Sequence, residues 1–128
     1  LGGAGYNKIK DSVVIAALLH DLGKCGDYGK QMYIPNILKS DKQSDAKPWK
    51  RNPSLLPLDH ATRSIKLATL FIDLTEDEEF AIRYHDGLYE TANYGVKGHE
   101  TQLYMILHWA DMWASKVIEG NNNAEDEE

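Results

Sequence analysis

No stretch of this 128-residue chain is apolar over the roughly 20 residues that a helix needs to cross a bilayer, and its start LGGAGYNKIK lacks the pattern of a secretory signal. A soluble protein without a membrane partner is expected. Cysteine is nearly missing too. Cys25 stands alone, forms no internal disulfide and suits a reducing cytoplasm; a single small thiol beside a helix end is more often filler than nucleophile. A surplus of positive charge is also absent. Glu119, Glu125, Asp126, Glu127 and Glu128 account for five of the net −6, so residues 119–128 read as an acidic, disordered tail on a nearly neutral body. A basic domain that tracks nucleic acid is thereby excluded, and nucleic acid is not the expected partner.

What is present is helical in period. With 42% apolar residues the chain is large enough for one core without disulfides. No alternating run of useful length marks a strand, and no repeat recurs at a solenoid period. The fold expected is therefore an all-α compact bundle over residues 1–118. Ile9 to about Leu22, IKDSVVIAALLHDL, is apolar on most sides, as in a helix buried against several neighbours, and Gly23 is a plausible stop. Residues 25–57 show no sustained period and form a long insert, with room for a short helix or hairpin, that suits a lid or a solvated loop equally. It also gathers charge: Lys24, Lys30, Lys39, Lys42, Lys47, Lys50 and Arg51 face only Asp27, Asp41 and Asp45.

The period returns in DHATRSIKLATLFIDL, capped at Asp59, with Ile65, Ala68, Phe71 and Ile72 at core spacing. Thr75 and Glu78 then spell a capping box before EDEEFAIRYHDG, which Gly87 can end. A last amphipathic helix, HETQLYMILHWADMWASKVIE, offers Leu103, Ile106, Leu107, Ala110, Ala114 and Val117 as its buried stripe.

Four of these helices carry ligand-type side chains: His20 with Asp21, His60, His85 with Asp86, and Asp111. Imidazole and carboxylate suit Zn, Mn, Fe, Co or Ni, with Mg also compatible, and one bridging carboxylate lets such a set hold two ions rather than one. Any one histidine alone is more often a hydrogen-bonded structural residue than a ligand. The carboxylates argue further. Asp21 lies within ALLHDLGK and Asp111 between Trp109, Ala110, Met112 and Trp113, surroundings in which an ionised acid is unfavourable without a cation.

ALLHDLGK, LDHATRS, AIRYHDG and LHWADMWAS, in that order over residues 13 to 117, resemble the HD superfamily of metal-dependent phosphohydrolases, nearest its small bacterial or phage members. The resemblance implies that His20 and Asp21 are the signature doublet and that Asp111 closes a first metal site. It also implies that His60 and His85 hold a second ion bridged through Asp21, and that Lys24 meets a substrate phosphate. The family's first metal histidine lies on a helix upstream of the doublet, yet residues 1 to 19 contain no His. A chain that starts at Leu1 fits removal of that helix, the preferred account; loss of the ligand is the other. His108, one turn before Asp111, is a substitute ligand or a supporting partner, with a structural role favoured, and His99 a loop or cap residue.

The function expected is hydrolysis of a phosphoester or phosphoanhydride in a small, nucleotide-like substrate, by a metal that acidifies water and polarises phosphoryl oxygens. Asp21 orients the water, while Lys24 and Arg63 neutralise phosphate. For Arg63 a plain ion pair is as good an account. Tyr28, Tyr33 and Trp49, interleaved with the lysines, are candidates for stacking on a base, with core packing or surface exposure equally open. Arg83 and Asp86 are supporting residues around the ligands. The rival readings are a regulatory module that keeps a metal and nucleotide pocket without turnover, and a general nuclease, which needs a longer basic groove.

Overall fold

A computed structural model describes residues 3–120, so all of the expected tail beyond residue 120 lies outside the described residues. The order is helix α1 (Gly3–Leu19), a 3-10 turn (Leu22–Cys25), strands β1 (Gly26–Asp27), β2 (Lys30–Gln31), β3 (Tyr33–Pro35) and β4 (Trp49–Arg51), then helices α2 (His60–Thr69), α3 (Glu76–Arg83) and α4 (Gln102–Trp113). Two 3-10 turns, Gly87–Tyr89 and Thr91–Val96, join α3 to α4, which continues into a π-turn at Ala114–Ile118. No helix among the described residues is long and apolar enough to cross a membrane.

The all-α expectation fails in the insert. β1 pairs with β2 and β3 with β4, each antiparallel, so the fold is mixed: helices plus two small two-stranded sheets. The reason they escape a reading by period is length. A strand of two or three residues completes barely one alternation, and such ribbons owe their stability to docking rather than to themselves. Gly29, with φ at 74°, makes the turn between β1 and β2. The β3–β4 ribbon is tied down at its base. The Asn52 amide donates to the Met32 carbonyl, and the Met32 amide to the carbonyl of Cys25, at 2.8 Å each.

The helical core forms where α1, α3 and α4 meet around Ala16, Ala81, Ile82, Leu103, Tyr104 and Leu107. Burying each large aliphatic of this group stabilises the fold by about 1.5–3 kcal/mol. Helix α1 is less enclosed than its composition suggests. Among the described residues of α1 Ala16 alone is fully buried, and Leu18 is 76% exposed. Helix α2 stops at Thr69, which leaves Phe71 and Ile72 outside the core; on α4, Tyr104 is buried while Ile106 and Ala110 face outward.

The caps follow the sequence. Asp59 accepts from the Thr62 amide at the start of α2, and at α3 the Thr75 hydroxyl accepts from the Glu78 amide while the Glu78 carboxylate accepts from the Thr75 amide. Glu78 also accepts from the Ser12 hydroxyl at 2.8 Å, which pins α3 to α1. Thr75→Ala is expected to destabilise the fold by about 1 kcal/mol, read as a lower urea midpoint at constant slope. An unchanged midpoint would remove the capping box from the forces that place α3.

Candidate metal centre

His20 follows the last residue of α1, held there by its amide's bond to the Ala16 carbonyl, and Asp21 immediately precedes the 3-10 turn. His60 opens α2, His85 and Asp86 follow the end of α3, and Asp111 lies inside α4. Two contacts bring these ends together. Gly23 lies against the first turn of α2, its amide donating to the Ser64 hydroxyl at 2.8 Å, and that hydroxyl is 2.8 Å from the His20 carbonyl.

The side chains converge on Asp21. Its Oδ1 stands 3.4 Å from the Nε2 of both His60 and His85, and its Oδ2 stands 3.5 Å from His20 Nε2. His20 Nε2 is also 3.5 Å from Asp111 Oδ1, and Asp86 places one oxygen 3.4 Å from His85 and the other 3.4 Å from His60. These groups can hold a metal ion: one set is His20, Asp21 and His85, the other His60, His85 and Asp86, with ligand atoms within 4.8 Å of one another.

Tautomers decide what the contacts mean. The Nδ1 atoms of His20 and His85 each lie 2.7 Å from a helix carbonyl, of Ala17 and Ile82, so the neutral rings carry their hydrogen there. Nε2 is then a lone pair directed at carboxylate oxygens, which is repulsive without a cation between them. An imidazole that gives its other N–H to a carbonyl is also the usual arrangement of a metal ligand. Burial holds the His85 imidazole below its ordinary pKa, against the Ile82 carbonyl and Asp86, with His20 and His60 reinforcing burial; it is neutral and able to donate electrons at pH 7. Burial raises the Asp21 carboxyl, but the Lys24 hydrogen bond at 2.8 Å and the positive charges of Lys24 and, once protonated at acid pH, of His20 and His85 outweigh it and keep the acid below its usual value.

Two observations fit a cation. His20 Nε2 and Asp21 Oδ1 are buried polar atoms without a hydrogen-bond partner, which is unfavourable unless something else satisfies them. The spacing fits as well: two donors bound at about 2.1 Å and a tetrahedral angle stand about 3.4 Å apart. Hydrogen bonds are shorter.

Of the residues singled out in the sequence, His20, Asp21, His60, His85 and Asp111 meet here, and Lys24 pairs with Asp21. Arg63 does not. It is buried to 2% exposure, its guanidinium bonded to Asp27 and to the Leu56 carbonyl, where it fastens the insert to α2. Tyr28 and Trp49 are exposed on the two ribbons. His108 gives its Nδ1 to the His85 carbonyl at 2.6 Å and stacks on Tyr104, so it braces a ligand. His99 sits in the loop before α4, its amide bonded to the Val96 carbonyl.

Asp86, expected only as a support, reaches two ring nitrogens directly. Its signal was a second His-Asp doublet at 85–86 repeating that at 20–21. Ser64 left no signal, since its work is done across the fold. Comparison with protein-family models, with curated proteins and with solved structures finds no match.

Proposed function

We propose that this chain is a metal-dependent phosphohydrolase that cleaves a phosphoester or phosphoanhydride of a nucleotide-like substrate, of the HD type its four motifs resemble. The observation that carries the reading is Asp21, whose two oxygens are divided between His20 on one hand and His60 with His85 on the other. That division suits a carboxylate shared by two divalent ions, and the mixed imidazole and carboxylate donors favour Mn, Fe, Co, Ni or Zn. Such ions, when bound, supply Lewis acidity toward phosphoryl oxygen and acidify water. The chain's own part is to hold the donors rigid, to keep Asp21 ionised, and to present the Lys24 ammonium, which is 60% exposed beside Asp21, to an incoming phosphate. Lone Cys25 suits work in a reducing cytoplasm.

The test is elemental analysis of the purified chain, followed by phosphate release from nucleoside mono-, di- and triphosphates with the bound metal restored. Metal together with release supports the reading. Metal without release from any of them leaves the regulatory binding module, and neither leaves a helical scaffold. Within this assay Asp86→Ala is expected to lower bound metal by about one ion per chain, because the set built on His60 and His85 loses its third donor while the set of His20, Asp21 and His85 keeps all of its own. Unchanged stoichiometry would remove Asp86 from the ligands.

A further inference from the structure

Two cavities open onto the ligand cluster, and their charges differ. One, of about 370 Å³, is bordered by Asp86, Glu90 and Asp111 against His108 and Lys116. The other, of about 430 Å³, is bordered by Lys24, Arg51, Tyr33, Met32 and His60, with Asp59 as its one acid. The Asp59 carboxylate is engaged by the Thr62 amide and hydroxyl. With Asp86 and Asp111 given over to metal, the first keeps only Glu90 against Lys116, whereas the second keeps the cationic Lys24 and Arg51 and attracts a phosphate dianion more strongly. The second also has the volume of a small-ligand site, in which a nucleotide fits.

The ribbon supplies the rest of that wall. Tyr33 on β3 is paired with Arg51 on β4, so their side chains leave the same face as immediate cross-strand neighbours. Met32 is fastened to Cys25, the residue after Lys24, and Asn52, the residue after Arg51, is fastened to Met32. Lys24, Tyr33 and Arg51 are therefore held in one frame. Arg51 has no acidic partner among the described residues, in contrast to Arg63, Lys66 and Lys24. A guanidinium left unpaired beside an ammonium in a concave wall is suited to a planar anion with several oxygens. Tyr33 is 60% exposed, an aromatic face free to be covered.

We propose that the β3–β4 ribbon is the recognition arm of the site: Arg51 and Lys24 hold the phosphate of a nucleoside phosphate, and Tyr33 stacks on its base. This rests on the phosphohydrolase reading, shares Lys24 with it and adds Tyr33 and Arg51. Tyr33, rather than Tyr28 or Trp49, takes the base, and Arg51 takes the phosphate role that the sequence suggested for Arg63. Tyr33 and Arg51 are specificity residues, acting on binding and leaving the reacting atoms to the ligand cluster.

The test is calorimetric titration of the metal-loaded full chain with a non-hydrolysable nucleoside phosphonate and with the matching ribose phosphonate, which lacks the base. The nucleoside ligand is expected to bind about ten-fold more tightly, the size of one base-on-aromatic stack. Tyr33→Ala should abolish that preference and leave ribose phosphonate within about two-fold, while Tyr33→Phe keeps it. Arg51→Ala should weaken both ligands by about ten-fold or more, with partial rescue by Arg51→Lys. Equal binding of the two ligands by the wild type, no binding of either, an undiminished preference in Tyr33→Ala, or an unaffected Arg51→Ala would each overturn the proposal. The expected binding pattern without phosphate release from any nucleotide keeps the arm and overturns the hydrolase.

Discussion

Asp21→Ala is expected to strip the protein of bound metal and to reduce phosphate release by at least about a thousand-fold, equivalent to roughly 4 kcal/mol of transition-state stabilisation. The size follows from position. Asp21 stands between His20 on one side and His60 with His85 on the other, with Oδ1 3.4 Å from His60 and His85 and Oδ2 3.5 Å from His20. Without it the two sets of imidazoles are left facing each other with no shared charge. Asp21→Asn separates charge from shape, because the amide keeps the volume but offers only a neutral oxygen. Since the Asp21 carboxyl is held below its usual pKa, in spite of burial, by the Lys24 hydrogen bond and the neighbouring positive charges, the native acid is ionised at neutral pH. Elemental analysis with circular dichroism checks the outcome. A folded Asp21→Ala chain that retains full metal content would end the case for a shared carboxylate.

Gly23→Ala should be the most disruptive substitution away from the ligands themselves. A Cβ at this position would meet the His60 carbonyl oxygen, the Arg63 Cβ at 2.7 Å and the Ser64 amide at 2.8 Å. Two of the three are backbone atoms of α2 and cannot rotate aside. The turn has to lift from the helix, which breaks the bond from the Gly23 amide to the Ser64 hydroxyl and leaves buried polar groups unsatisfied. Overpacking and the lost hydrogen bond together are expected to destabilise the fold by about 3 kcal/mol, a fall of about 1–2 M in urea midpoint. Metal affinity should fall in parallel under native conditions, because lifting the turn carries His20 and Asp21 away from His60. A normal midpoint with normal metal content would mean that the turn and α2 do not meet as described.

How much of this was legible in the sequence depended on how local the cause was. Asp59, Thr75 and Glu78 act within one turn of their own helices, and the sequence placed those caps correctly. Ligand-type residues were legible because an acid inside an apolar helix needs a reason, which drew attention to Asp21 and Asp111. Asp86 was undervalued because a carboxylate in a polar setting such as YHDG needs none. The strands were missed because pairing between residues 33–35 and 49–51 is a long-range choice with almost no local pattern. Arg63 was misjudged for the same reason. One turn after His60 it looked poised for substrate, but the acid that pairs with it, Asp27, is remote in sequence, and the Leu56 carbonyl reaches it only because the loop before α2 folds back. Burial of α1 and of the Phe71–Ile72 segment was overestimated because apolar composition indicates what can be covered, not what neighbours are present to cover it.

The Ser64 hydroxyl has one hydrogen and two carbonyls in reach, those of His20 and, at 2.7 Å, His60. That one hydrogen lies between the two carbonyls, while the same oxygen accepts the Gly23 amide from the turn that follows His20. A single oxygen atom thus rivets the end of one helix to the beginning of another, with an imidazole mounted on each side of the joint. Whatever pulls on one ring pulls on the other, and the two halves of the centre move as one rigid part.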